Sequence, residues 1–106
     1  MAKGRPQDVL CIYRVKRAKE AAFKKLLKKH GPTLKKAGLS SDKGPVIWKA
    51  ESGRKPGVIY VEQMQWKDEN SSNAAHQMPE VMAVWEPMGE CCDGMEFLHL
   101  KPADLG

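Results

Sequence analysis

Apolar positions repeat along this chain in two distinct ways. Residues 8–15, DVLCIYRV, are rich in β-branched and aromatic side chains and read as a strand. Leu10 and Ile12 take one side of it, and Val9, Cys11 and Tyr13 the other. Both sides are apolar, so the strand is expected to be covered on both. From about Lys19 the period lengthens. Phe23, Leu26, Leu27, His30 and Leu34 recur at helical spacing, with lysines filling the opposite side. Pro32 should kink or restart this helix, because proline disfavours helix at the residue before it and Gly31 is a weak helix former. Gly38 supplies the stop.

The stretch SSDKGP reads as a loop, residues 46–50 as a short strand, and ESGRKPG as a turn-rich connection. Residues 58–66, VIYVEQMQW, form the clearest strand, with Ile59 and Val61 on one side and Tyr60, Glu62, Met64 and Trp66 on the other. KDENSSN is polar, and Asn70, Ser71 or Ser72 can cap a short helical turn within it. Pro79 opens a second long helix, where its missing N–H costs nothing. Met78, Val81, Trp85, Met88 and Cys92 form that helix's apolar stripe. Pro87 should kink the helix or end it soon after. Asp93–Gly94 is expected to close the element before a last strand in MEFLHLKP.

The order strand, helix, strand, strand, helix, strand describes a ferredoxin-like α+β sandwich: an antiparallel sheet with both helices on one face. One domain is expected, with tails at 1–7 and 103–106. The uncovered sheet face would carry one alternating set from each strand, with Tyr13, Tyr60, Met64 and Trp66 among the candidates, and would then be an interface; both sets are apolar, so which one faces the helices is open at this point. A homodimer with sheets face to face follows as the expectation.

Composition narrows the function classes. Among 106 residues, 42% hydrophobic and 29% charged content is ordinary for a globular chain, and no apolar run approaches a membrane span. The opening MAKGRPQD has no apolar segment behind it, so a cytoplasmic location is expected rather than secretion. Cys11, Cys91 and Cys92 are odd in number and show no zinc spacing, which points to reduced thiols and no metal site. The charge of +5 comes largely from Lys24, Lys25, Lys28, Lys29, Lys35 and Lys36. That helix face lacks arginine and interleaved aromatics, so a solvated surface is expected rather than a nucleic-acid site.

Trp66 ending a strand, a polar segment, then AAHQMPE at 74–80 before a long helix resembles the antibiotic biosynthesis monooxygenase-like proteins of the dimeric α+β barrel superfamily. The resemblance spans about 8–102. It implies a dimeric α+β barrel and, for an enzyme, oxygenation or isomerisation of an aromatic or quinone-like substrate with no cofactor. Haem-degrading relatives match poorly, because their ligand position holds Trp85 or Glu86 here, neither a usual haem ligand.

No nucleotide loop, GxSxG or HExxH is present. His76, at the mouth of the second long helix, is the candidate proton acceptor, since imidazole titrates near neutrality; its alternative role is capping or loop bonding. Trp48, Tyr60, Trp66 and Trp85 are candidates to line an aromatic pocket, with His30 beside them. Glu62 is expected either to pair with Arg14 across strands or to act as a desolvated base. Glu86 lies off the apolar stripe and is expected in solvent. A cavity of roughly 300 Å³ or more reaching His76 would favour a ligand site. A solid interior there would favour a non-catalytic dimeric binding or interaction module.

Overall fold

The computed structural model describes residues 5–106. Strand β1, Gln7–Val15, leads through a 3-10 turn at Arg17–Lys19 into helix α1, Glu20–Lys36. Strands β2, Val46–Ala50, and β3, Val58–Trp66, follow. The chain continues through short helix α2, Ser71–Ala75, then helix α3, Pro79–Glu90, and strand β4, Cys92–His99. The strands lie in the order β2-β3-β1-β4 with every neighbouring pair antiparallel. Helices α1 and α3 pack against each other and share one apolar core with the sheet. This is the ferredoxin-like α+β arrangement expected from the element order. The first residues of the expected N-terminal tail lie outside the described residues, and β1 already begins at Gln7. No regular element follows His99, although the Leu100 amide still bonds the Asp8 carbonyl at 2.8 Å.

Helix α1 is not restarted at Pro32; it runs on as one helix to Lys36. The penalty proline imposes on its predecessor comes largely from that residue's Cβ, and Gly31 has none. Leu27, His30 and Leu34, all buried, hold the helix to the sheet on both sides of the proline. The helix ends in a Schellman motif. Gly38 takes φ +76°, its N–H bonds the Lys35 carbonyl, and the Leu39 N–H bonds the Leu34 carbonyl, both at 3.0 Å. The lysine face of α1 is exposed along its length.

The assignment of sheet faces is the main correction. Tyr13, Tyr60, Met64 and Trp66 are not on the uncovered face; all four are buried under the helices. Register pairs Tyr13 with Tyr60. Phe23 of α1 packs on both rings, with centroids at 5.1 Å and 5.7 Å. The outer face instead carries Leu10, Ile12, Val61, Trp48 and Leu98, interrupted by Arg14, Gln63 and Glu96. Arg14 does not pair with Glu62. It meets Glu96 at 3.5 Å on that outer face, with both side chains half exposed. Residues 14 and 62 differ in parity relative to the register, so they occupy opposite sides of the sheet.

Helix α3 begins at Pro79 as expected and ends at Glu90, soon after Pro87. Its buried stripe is Val81, Val84 and Met88, with Met78 and Trp85 half-buried. Cys92 belongs to β4 rather than to the helix. Asp93–Gly94 does not close an element either: Val15 pairs with Cys92 and Arg14 with Gly94, so Asp93 is the extra residue of a β-bulge. All three cysteines are free and buried. The short turn before α3 is organised by Asp68 rather than by Asn70, Ser71 or Ser72. Its Oδ1 accepts the Asn70 N–H at 2.9 Å and the Ser71 hydroxyl at 3.0 Å. No helix among the described residues is long and apolar enough to cross a membrane.

Candidate active site

A cavity of about 240 Å³ lies between the sheet and the helices. Its floor comes from β1 through Val9, Cys11 and Tyr13, and from β3 through Met64 and Trp66. Met95, Phe97 and His99 of β4 form one side, and His30, Ser72, His76, Trp85 and Met88 close it from the helices. The volume falls below the ~300 Å³ at which typical ligand pockets begin, yet well above the ~150 Å³ that holds one benzene ring. It fits a substituted single ring or a small bicycle.

Beneath this wall runs a buried chain of hydrogen bonds. The Tyr13 hydroxyl donates to Glu62 Oε1 at 2.7 Å. His30 Nδ1 sits 3.0 Å from both carboxylate oxygens of Glu62. The Trp85 indole N–H donates to His30 Nε2 at 2.8 Å. An indole nitrogen can only donate, so Nε2 is the acceptor and the ring proton sits on Nδ1, directed at the carboxylate. Glu62 is fully buried and His30 is 3% exposed. A carboxylate in such a place is tolerated because its lone pairs are met by directed donors. Its charge reaches its neighbours. Burial first, and the Glu62 charge second, push the Cys11 thiol up to about 12 and raise the Tyr13 phenol far above its ordinary value. Both therefore stay protonated.

His76 is held differently. Its Nδ1 donates to the Ser72 carbonyl at 2.8 Å, one helical turn back. Its ring meets the Trp85 ring edge-on, with centroids at 4.9 Å. Nε2 has no protein hydrogen-bond partner among the described residues, and the side chain is exposed at the cavity wall. Trp85 thus stands between two imidazoles, bonded to one and packed on the other, with Trp66 at 6.2 Å completing the aromatic corner. Among the described residues no three His, Cys, Asp or Glu side chains gather into a metal-holding group.

Comparison with known proteins bears on the fold. No family model matches the chain, and no curated protein matches it in sequence. Solved structures do match. The protein Rv0793 of Mycobacterium tuberculosis superimposes with a TM-score of 0.73 at 13% identity, over 93% of this chain and 96% of that one. A candidate antibiotic biosynthesis monooxygenase from Nitrosomonas europaea gives 0.70 at 13% identity, over 96% and 94%. A variant of SnoaB, a cofactor-independent oxygenase of Streptomyces nogalater, gives 0.69 at 10% identity, over 95% and 96%. The chain has the fold of the antibiotic biosynthesis monooxygenase-like structures.

Within that fold, His30, Trp66, Trp85 and His76 line one cavity. Glu62 lies behind the wall and acts on it through His30 and Tyr13. Tyr60 is elsewhere: its hydroxyl donates to Glu20 at 2.7 Å, and Lys49 bonds the same carboxylate at 2.9 Å. Those two bonds hold the Glu20 carboxyl below its usual range. Trp48 is 57% exposed on the outer face and lines nothing here. Sequence reasoning passed over Tyr13, Ser72, Met64 and the β4 side chains Phe97 and His99. The only available signal was register: the side of β1 bearing Val9, Cys11 and Tyr13 matches the Glu62 side of β3.

Proposed function

We propose that this chain binds a small phenolic or quinone-like molecule in the cavity and oxygenates or isomerises it without metal or flavin. The observation that carries this reading is His76, whose Nδ1 is spent on the Ser72 carbonyl while Nε2 is left free at an apolar, aromatic-lined cavity. A ring nitrogen so oriented is the acceptor that a general base requires. In this reading a ligand O–H or acidic C–H gives its proton to Nε2, and the electron-rich anion reacts with dioxygen or shifts its double bonds. The ring packs into the corner that Trp66 and Trp85 make, and Met64, Met88 and Met95 adapt to its substituents. The fold shared with a cofactor-independent oxygenase supports the reaction class. A thermal-shift screen of phenols and quinones finds the ligand, since a molecule that prefers the native state raises apparent stability. The His76→Ala chain is then expected to bind that ligand and fail to turn it over; full turnover overturns the proposed role.

The outer sheet face supports self-association. Trp48 and Leu98 are exposed there at 57% and 42%, beside half-buried Leu10, Ile12 and Val61. We infer a symmetric homodimer through this face. The modest cavity volume favours one alternative, a dimeric binding module that holds a small ligand without changing it. Turnover assays on the ligand from the screen separate the two.

A further inference from the structure

The buried His30–Glu62 pair has the geometry of a second base. A carboxylate receives the Nδ1 proton, Nε2 is left as the acceptor, and the ring lines the cavity. Carboxylate–imidazole pairs in this orientation hold the ring in the tautomer that accepts a proton and stabilise the imidazolium that forms. Here the acceptor is occupied by the Trp85 indole N–H at 2.8 Å, and Trp85 is half-buried on α3 rather than locked in the core. A hydroxyl-bearing ligand in the cavity offers the same kind of donor at the same place.

We propose that the His30–Glu62 pair is an acid–base site of its own, for which the Trp85 N–H is the resident stand-in for a ligand hydroxyl. This rests on the ligand-binding reading of the cavity. When an acidic phenol displaces the indole, its O–H bond breaks and a bond from hydrogen to His30 Nε2 forms. The phenolate stays in the cavity and the imidazolium faces Glu62. No electrons are exchanged. His30 touches the ligand, and Glu62 is the positioning residue. The surroundings suit this transfer: Tyr13 and Cys11 are held protonated by burial and by Glu62, so neither competes for the proton nor adds negative charge. His76, across Trp85, and His99 of β4 are the other imidazoles at the wall, and among the described residues His30 is the only basic side chain paired with Glu62.

The test uses 4-nitrophenol, at a pH where the free probe is protonated, read by the phenolate absorption band together with the indole N–H and histidine ring signals in 15N NMR. Wild-type protein is expected to bind it with appearance of the band, a shift of the Trp85 N–H signal and double protonation of His30. Glu62→Gln keeps the shape and the hydrogen-bond acceptor but not the charge; it is expected to bind the probe with a weakened band and a His30 ring that stays singly protonated, the remaining band belonging to His76. Glu62→Asp should restore part of it. A band that persists undiminished in Glu62→Gln or His30→Gln, or that disappears only in His76→Ala, overturns this inference while leaving the cavity as a ligand site. Absence of any probe binding to the wild-type chain removes the phenol-binding reading and this inference together. Circular dichroism of each variant establishes that loss of the band is not loss of the fold.

Discussion

Glu62 shows how a charge in a strand can be misjudged from its neighbours alone. Its partners are 32 and 49 positions away in sequence, on α1 and β1. Removing it strands two buried donors, so Glu62→Ala should cost about 3–5 kcal/mol, the range for breaking a buried ionic hydrogen-bonded group. Glu62→Gln should cost less, about 1–3 kcal/mol, because an oxygen still accepts. Urea unfolding of the two variants measures the difference, and equal losses would mean that the retained acceptor contributes little. The titration of the core gives a second expectation. Burial raises Cys11 from 9.0 to about 12, Tyr60 from 10.0 to about 12 and Cys92 from 9.0 to about 11. These groups hold their protons more tightly when folded. Their contribution is therefore complete below pH 9, the ordinary thiol value, and is lost as the pH climbs from there through the folded-state values. The urea midpoint should fall steadily over that alkaline range, and Cys11→Ser should lessen the decline.

The elements were legible where local chemistry acts alone. The periods of α1 and β3, the proline at the start of α3 and the glycine after α1 all stand where the pattern put them. Gly38 carries its role in its own backbone. At φ +76° a Cβ meets the following carbonyl, so Gly38→Ala should lower stability by about 1–2 kcal/mol in urea unfolding. Open space around that position means no packing gain offsets the strain. Elements were misread where a local rule met a neighbour that cancels it. Pro32 follows a glycine, which removes most of the steric clash, and buried residues on either side carry the helix across. Asp93–Gly94 resembles a turn in isolation, but β1 continues alongside it and converts it into a bulge.

A sheet with helices on one face leaves its other face to water or to a partner. The exposed side chains of Trp48 and Leu98 on that outer face argue for a partner, and a second copy of the chain is the self-complementary solution. Sedimentation equilibrium should find a dimer at micromolar concentration. Trp48→Glu should shift it to monomer without loss of secondary structure, because the side chain makes no core contact; a folded wild-type monomer at that concentration would overturn the interface. The same substitution should leave the cavity unaltered, since Trp48 lies on the opposite side of the sheet from His30 and His76.

The order of strands and helices, the helix periods and the residue types available for chemistry were determined by the sequence itself, because hydrophobic spacing and turn residues act over a few positions. Which face of the sheet is buried was not, because both alternating sets of β1 are apolar and the β3 set that ends up buried carries the charged Glu62. Tertiary structure decided it by bringing His30 and Tyr13 to that carboxylate, which made burying the charge tolerable. It decided the site in the same way. His30, His76 and Trp85 are scattered along the chain, and only the packing of α1 and α3 over one sheet sets an indole between two imidazoles, leaving one nitrogen free and one capped.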